Sequence, residues 1–319
     1  MTDANPTCRE IERDLVAMAA GEAASGAARV VERHLARCGE CRDELERYRV
    51  LESMVTDLRR EPVPGADPAL SRAELESRLA DIRARMVAYG IFSSPLGKIL
   101  IARSELGIAL VEYLNSEKAA ASYLAQLAGG EVREDKAGME MVYHELLEYL
   151  DRRRTRLDWP LDLRWAGSDF QRRVLAATAE LPYGAVTSYA GIARRIGTPS
   201  AVRAVAQALR RNPVPIVIPC HRVIGNGGDL VGYAGNRISL KRTLLSLEGV
   251  PVAARGRRIE RDHMYARAGA DTEYCVPTCG SLSRQSLAGL TLFGSRGHAE
   301  SLGLTPCASC RPDLHPLSA

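Results

Sequence analysis

The sequence predicts an α+β multidomain chain: a small cysteine-bearing helical module, an α/β subdomain, a helical helix-turn-helix block, and a small cysteine-bearing module at the end. Three observations predict it. The 319 residues exceed what one ordinary domain uses. Seven of the eight cysteines sit at short spacings near one end or the other, and Cys220 stands alone. The apolar period shifts from helical to strand-like at Tyr89 and back to helical at Ser168.

Taken in order, Thr7-Cys8-Arg9-Glu10 has capping-box spacing, so a helix starts at Cys8 and runs to about Ala20. A second helix should carry Val30, Val31, His34 and Cys38, and a third follows Cys41, with Leu45, Tyr48 and Leu51 at helical spacing. These make a module over residues 1–60. Residues 61–88 read as a Pro/Gly linker followed by an amphipathic helix carrying Leu75, Leu79, Ile82 and Met86. From residue 89 to 167, strands are expected at Tyr89–Ser93, Lys98–Arg103 and Ile108–Tyr113. Helices follow at Glu117–Leu127 and Gly138–Arg153. Residues 168–250 hold three helices, Ser168–Glu180, Ser188–Ile196 and Ser200–Arg211, separated by Pro182-Tyr183-Gly184 and Gly197-Thr198-Pro199. The last two resemble a helix-turn-helix, and the second carries Arg203, Arg210 and Arg211. Residues 251–319 form the last module.

Charge is uneven. Residues 168–250 hold eleven Lys/Arg against four Asp/Glu, the footprint of a polyanion partner, although a solvated Arg-rich surface gives the same balance. No apolar run reaches the length of a membrane span, and the amino terminus lacks the pattern of a signal peptide. A cytoplasmic location without membrane contact is the expectation, and in that setting clustered cysteines point to metal rather than disulfides.

Ile216-Val217-Ile218-Pro219-Cys220-His221-Arg222 places a thiol behind an apolar run with an imidazole beside it. Only the thiolate is a good nucleophile, so a neighbouring base matters, and Glu248 is the candidate carboxylate to orient it. An isolated Cys-His pair would read as core packing, but the context is larger. Phe170-Gln171, Pro182-Tyr183-Gly184, Thr187-Ser188-Tyr189, Ala201-Val202-Arg203-Ala204-Val205, Arg211-Asn212-Pro213-Val214-Pro215, Pro219-Cys220-His221-Arg222-Val223 and Gly232-Tyr233-Ala234-Gly235 stand in order, with Lys241 and Leu247-Glu248-Gly249 completing them. Residues 168–250 therefore resemble the catalytic domain of O6-methylguanine-DNA methyltransferases, and residues 89–167 the ribonuclease-H-like subdomain of that family.

The resemblance implies single-turnover transfer of an alkyl group from O6-alkylguanine, and from O4-alkylthymine, in double-stranded DNA to Cys220. No organic cofactor is implied. His221 would activate Cys220 through water, with Glu248 behind it, and Asn212 would brace the loop. The helix beginning at Ser200 would lie in the minor groove, Arg203 filling the gap left by the extruded base and Arg210 and Arg211 adding charge. Tyr189 would help rotate the nucleotide and protonate the departing oxygen, while Tyr233, Ala234 and Gly235 would line the base pocket. Flipping a base costs a few kcal/mol, which fits an inserting side chain backed by phosphate contacts. Asn236 stands where the family has glycine, and its side chain would narrow the pocket.

Cys8, His34, Cys38 and Cys41 have the composition of a tetrahedral zinc site. Residues 1–60 resemble the zinc-binding anti-sigma fold, which implies a sigma-factor-like protein partner. A structural site, a thiol redox switch and free thiols on a bundle all remain open. At the other end, Cys275-x3-Cys279 and Cys307-x2-Cys310 offer four thiolates for a second zinc. Their setting resembles the metal-binding domain of Ada-type repair proteins, which implies Cys275 as an acceptor of methyl groups from phosphotriesters. Val276 departs from that pattern, which has arginine there. The competing class is a damage- or redox-responsive regulator acting through the zinc modules.

Overall fold

The computed structural model describes residues 7–60, 68–125, 127, 131–254, 257–283 and 285–317. Of the linker expected over 61–68, residues 61–67 lie outside them, and Pro68 begins a helix instead. The chain forms two compact units, Met1–Arg78 and Leu79–Ala319. Its class is mixed α+β.

The first unit is built on α1 (Cys8–Ala19), α2 (Ser25–Leu35) and α3 (Gly39–Arg60). The capping box is formed: the Glu10 carboxylate accepts the Thr7 N–H (2.7 Å) at the start of α1. Ile11, Leu15, Val31 and Leu45 make its small core, with Cys41 buried among them. The second helix does not carry Cys38. It ends at Leu35, and Cys38 lies in the turn, held by its N–H to the His34 carbonyl (3.0 Å). Cys41 falls in the first turn of α3 rather than ahead of it. The Cys-x2-Cys loop thus wraps a helix start, where free N–H groups favour thiolate.

The division between units falls within α4 (Pro68–Arg85). The second unit then opens with three antiparallel strands, β1 (Met86–Ser94), β2 (Gly97–Ser104) and β3 (Gly107–Leu114). The expected 117–127 helix is a 3-10 turn leading into a short α5 (Ala120–Leu124). A fourth strand, β4 (Glu131–Glu134), pairs parallel to β1 and was not expected; it is exposed along its length, so no alternation marks it. The sheet order is β3-β2-β1-β4. Ile99 and Ile101 of β2 and Tyr113 of β3 pack against α6 (Glu140–Leu150) in the main core.

That core continues into the helical block: α7 (Asp169–Ala179), α8 (Tyr189–Arg195) and α9 (Val202–Arg210). Ser168 and Ser188 cap α7 and α8 by accepting the N–H of Gln171 and Gly191. Ser200 lies outside α9, whose cap is Ala201. Between α7 and α8 runs β5 (Ala185–Ser188), parallel to β6 (Val223–Ile224) just after the cysteine loop. After α10 (Ile238–Leu247), the C-terminal segment adds β7 (Tyr265–Ala268), β8 (Glu273–Tyr274), β9 (Leu290–Phe293), α11 (Arg296–Glu300) and β10 (Thr305–Pro306). Strand β9 pairs antiparallel with β5, giving one sheet in the order β6-β5-β9-β7. The last module is therefore joined to the helical block by backbone hydrogen bonds, a connection that no spacing or motif announces. Among the described residues no helix is long and apolar enough to cross a membrane.

Candidate active site

Cys220 opens a single 3-10 turn, Cys220–Arg222, entered through a strained loop. Ile216 has φ +75° and Ala234, across the site, φ +38°. Such left-handed backbone at a side-chain-bearing residue costs about 1–3 kcal/mol and persists where surrounding contacts fix it. Asn212 supplies part of that fixing. Its Nδ2 donates to the Ile218 carbonyl (2.9 Å) and to Cys220 Sγ (3.2 Å), while its Oδ1 accepts the Val214 N–H (3.1 Å). Lys241 is buried and donates to the carbonyls of Val223, Val231 (3.1 Å) and Gly232 (3.4 Å), tying the cysteine loop to the Gly232–Gly235 loop. That second loop needs its glycines: Gly232 and Gly235 have φ +58° and +80°.

Behind the thiol lies a buried charge network. His221 Nε2 is 2.6 Å from Glu248 Oε1, and both side chains are fully buried. Arg222 donates through Nε to Glu248 Oε2 (2.8 Å) and through one Nη to Oε1 (2.9 Å), with its other Nη on the Leu181 carbonyl. The Tyr149 hydroxyl donates to Glu248, and the Gly184 N–H reaches Oε2 at 3.2 Å. Burial alone would raise the Glu248 pKa, but His221 and Arg222 hold it well below the carboxylate range. Burial lowers the His221 pKa against the pull of Glu248, so the imidazole is neutral. With Nε2 committed to Glu248, Nδ1 is the remaining ring nitrogen, buried and without a partner among the described residues. Burial also pushes the Cys220 pKa up, opposed by Asn212 and the Lys241 charge.

Cys220, Asn212, Ala234, Gly235 and Glu112 line a cleft of about 590 Å³. Arg210 and Arg211, both exposed, also line it. Tyr233 is buried in the core cluster that includes Cys220, its hydroxyl 2.7 Å from that of Tyr113. Tyr189 opens α8 and donates to the Val231 carbonyl (2.9 Å). Its pKa is raised by burial and by the Cys220 charge, so its proton is retained. Arg203 is exposed on α9, opposite the buried Val205, Ala208 and Leu209. The residues that sequence reasoning missed are Arg222, Tyr149 and Glu112. Arg222 was in plain sight within the motif; the other two come from the preceding subdomain and carry no local signal.

The ligand atoms of Cys8, His34, Cys38 and Cys41 lie within 4.8 Å of one another, as do those of Cys275, Cys279, Cys307 and Cys310. Zinc–thiolate bonds of about 2.3 Å put tetrahedral neighbours about 3.8 Å apart. Cys8 and Cys38 Sγ are 3.8 Å apart, and His34 Nε2 is 3.6 Å from Cys8 Sγ, so the donors fit. In each cluster one thiol titrates near neutrality. Cys38 is lowered to about 7 by hydrogen bonds from Cys41 and His34. Cys279 is lowered to about 7 by Ser281 in spite of its burial. Both clusters can hold a metal ion.

A buried thiol on a cleft, a neutral imidazole held by a carboxylate, and a helix-turn-helix beside them define a thiol group-transfer protein with a DNA-binding domain. Family models agree. The DNA-binding domain of 6-O-methylguanine DNA methyltransferase matches residues 169–250, its ribonuclease-like domain matches 87–163, and a zinc-finger model matches 8–42. The methylated-DNA–protein-cysteine methyltransferase of Methanosarcina acetivorans is 38% identical over 162 residues, covering 50% of this chain and 97% of that protein. The constitutive enzyme of Bacillus subtilis is 36% identical over 162 residues, 51% of this chain and 95% of that one. Among solved structures, the O6-methylguanine methyltransferase of Mycobacterium tuberculosis is 38% identical, covers 51% of this chain and 93% of that chain, and has a TM-score of 0.44. This chain belongs to the 6-O-methylguanine DNA methyltransferase family.

Proposed function

We propose that this protein repairs DNA by moving the alkyl group of O6-alkylguanine irreversibly onto Cys220. The observation that carries the reading is the Cys220 thiol opening on a cleft, with Asn212 on its sulfur and the His221–Glu248 pair behind it. His221 Nδ1 takes the thiol proton through a bridging water, since the other ring nitrogen is held by Glu248. The thiolate attacks the alkyl carbon; the S–C bond forms as the C–O6 bond breaks, and its electron pair goes to O6. Tyr189, still protonated, supplies the proton that the guanine takes up and recovers one from His221. The product is a thioether, a poor leaving group, so each molecule acts once. O4-alkylthymine presents the same carbon–oxygen bond to the same thiol.

Arg203 fills the space of the extruded nucleotide, and Arg210 and Arg211 hold phosphates beside the cleft. Each cluster takes one zinc ion, two per chain, held by Cys8, His34, Cys38 and Cys41 and by Cys275, Cys279, Cys307 and Cys310. Zinc would keep these thiols deprotonated and the short loops folded. For residues 1–60, the exposed Val50, Leu51, Met54 and Val55 on α3 support a protein partner of the sigma-factor kind. The working place is the cytoplasm, with the DNA.

The test is to mix the protein with an O6-methylguanine oligonucleotide and map the modified peptide by mass spectrometry. One methyl group on Cys220 is expected, and Cys220→Ala should still bind the lesion with no transfer. Methyl transfer by that variant would sink the reading.

A further inference from the structure

A second cleft, of about 800 Å³, lies away from Cys220, between the helix-turn-helix and the C-terminal strands. Arg173 of α7, Arg194 and Arg195 at the end of α8, and Arg267 of β7 line it, against one carboxylate among the described residues, Glu180. Three features make it more than a solvated basic surface. Arg267 Nε is buried and has no hydrogen-bond partner among the described residues. Arg195 is oriented by its bond to Thr291 Oγ1 (2.8 Å), and its pKa is lowered by burial and by the like charge of Arg267. The two walls meet at Gly191 of α8: a β-carbon there would touch the Ala288 carbonyl of the C-terminal segment at 3.4 Å, an ordinary packing distance, and would clash with Thr187 Oγ1 of its own block at 2.4 Å. Like charges are therefore gathered from three elements, α7, α8 and β7, at a cost in repulsion, with the unpaired Arg267 Nε among them.

We propose that this cleft is a phosphate-binding site for the DNA backbone, created by docking the C-terminal module on α8. Guanidinium groups match phosphate oxygens with two parallel N–H donors, and an unpaired buried Nε–H is satisfied by such an acceptor. Because α8 leads directly into α9, a phosphate held here extends the footprint of the helix-turn-helix beyond the reach of Arg203, Arg210 and Arg211. The C-terminal module thus works as a second clamp on undamaged backbone. The choice of DNA as the source of the phosphate rests on the repair function proposed above; the anion chemistry of the cleft does not.

The experiment compares the full chain with Arg194→Gln and with Arg267→Gln, because the partly buried Arg267 is the riskier substitution for folding. Affinity for a lesion-free duplex is measured across a salt series, and alkylation of Cys220 by free O6-benzylguanine is measured alongside. Each lost contact should reduce the slope of log affinity against log salt by about 0.9, with free-base alkylation unchanged. Unchanged slope and affinity in both variants overturn the proposal. Titration with inorganic phosphate separates the sources: phosphate binding lost in the variants while DNA binding is untouched would assign the cleft to a free anion and overturn the DNA contact. Failure of the wild type to alkylate Cys220 from an O6-methylguanine duplex would instead overturn the repair function itself.

Discussion

Glu248 answers several donors at once, and this is where the site is most vulnerable. Its two oxygens take His221, Nε and one Nη of Arg222, Tyr149 and the Gly184 N–H. Glu248→Gln keeps the shape but leaves the Arg222 charge buried without its counter-charge, which costs about 3–5 kcal/mol. Denaturant unfolding should show that loss, and alkylation of Cys220 should slow with it; a variant as stable as wild type would show that Arg222 finds other acceptors. The pH dependence has a definite sign. His221 has a lowered folded pKa, so its contribution is present above about 6.5 and is lost as pH falls below it. Glu248 is also lowered, so its share is present above about 4.3 and is lost on further acidification through the folded value. Stability should therefore decline in two stages, and the lower stage, shared with other lowered carboxylates such as Asp162 and Asp313, should be smaller in Glu248→Gln. Cys220 and His221 were legible because chemistry fixes their types within one continuous motif, and Glu248 because it stands in the short Leu247-Glu248-Gly249 stretch that completes the set. Tyr149 was not, because it meets Glu248 from 99 positions away in sequence through packing alone.

The helix α9 shows how one element divides its work between faces. Val205, Ala208 and Leu209 are buried, Arg203 is exposed, and Gln171 of α7 donates to the Arg211 carbonyl (2.9 Å) just past the helix end. The exposed arginine is thus carried on a rigid rod whose last carbonyls are tied down. Arg203→Ala should slow repair of duplex lesions at least tenfold more than attack on free O6-benzylguanine, if a lost inserting side chain forfeits about 1.4 kcal/mol or more of extrusion energy. Equal loss on both substrates would mean that Arg203 supports the pocket instead. Helices such as this 9-residue one were readable from sequence because their length establishes a period, and serine caps mark the starts of α7 and α8. The strands β4, β5 and β9 have four residues each, too few to show alternation, and their identity comes from the partner they pair with.

At the scale of the whole molecule, the two cysteine clusters stand in different relations to the reacting thiol. The N-terminal cluster belongs to the compact unit Met1–Arg78, whereas the C-terminal one belongs to the unit that contains Cys220. Within that unit the connection is short. Cys275 exchanges backbone hydrogen bonds with Ala266 of β7, β7 pairs with β9, and β9 pairs with β5 at Ala185 and Val186. Gly184, one residue before β5, donates to Glu248, and His298 of the C-terminal segment packs edge-on against Tyr183 with ring centroids 5.7 Å apart. A metal that fixes Cys275 therefore also fixes the strand ladder ending at the His221–Glu248 pair. Spacing in the sequence located both clusters but was silent on this difference, which is a property of sheet pairing. Cys307→Ala should lower the melting temperature of the catalytic unit and slow alkylation by free O6-benzylguanine, whose reaction needs no DNA contact. Cys38→Ala should lower metal content by one ion per chain and leave that rate unchanged. Metal analysis, calorimetry and the free-base rate on the same two preparations decide the matter: equal rates in both variants would show that the C-terminal metal holds only its own loops, and that the β5–β9 ladder stands without it.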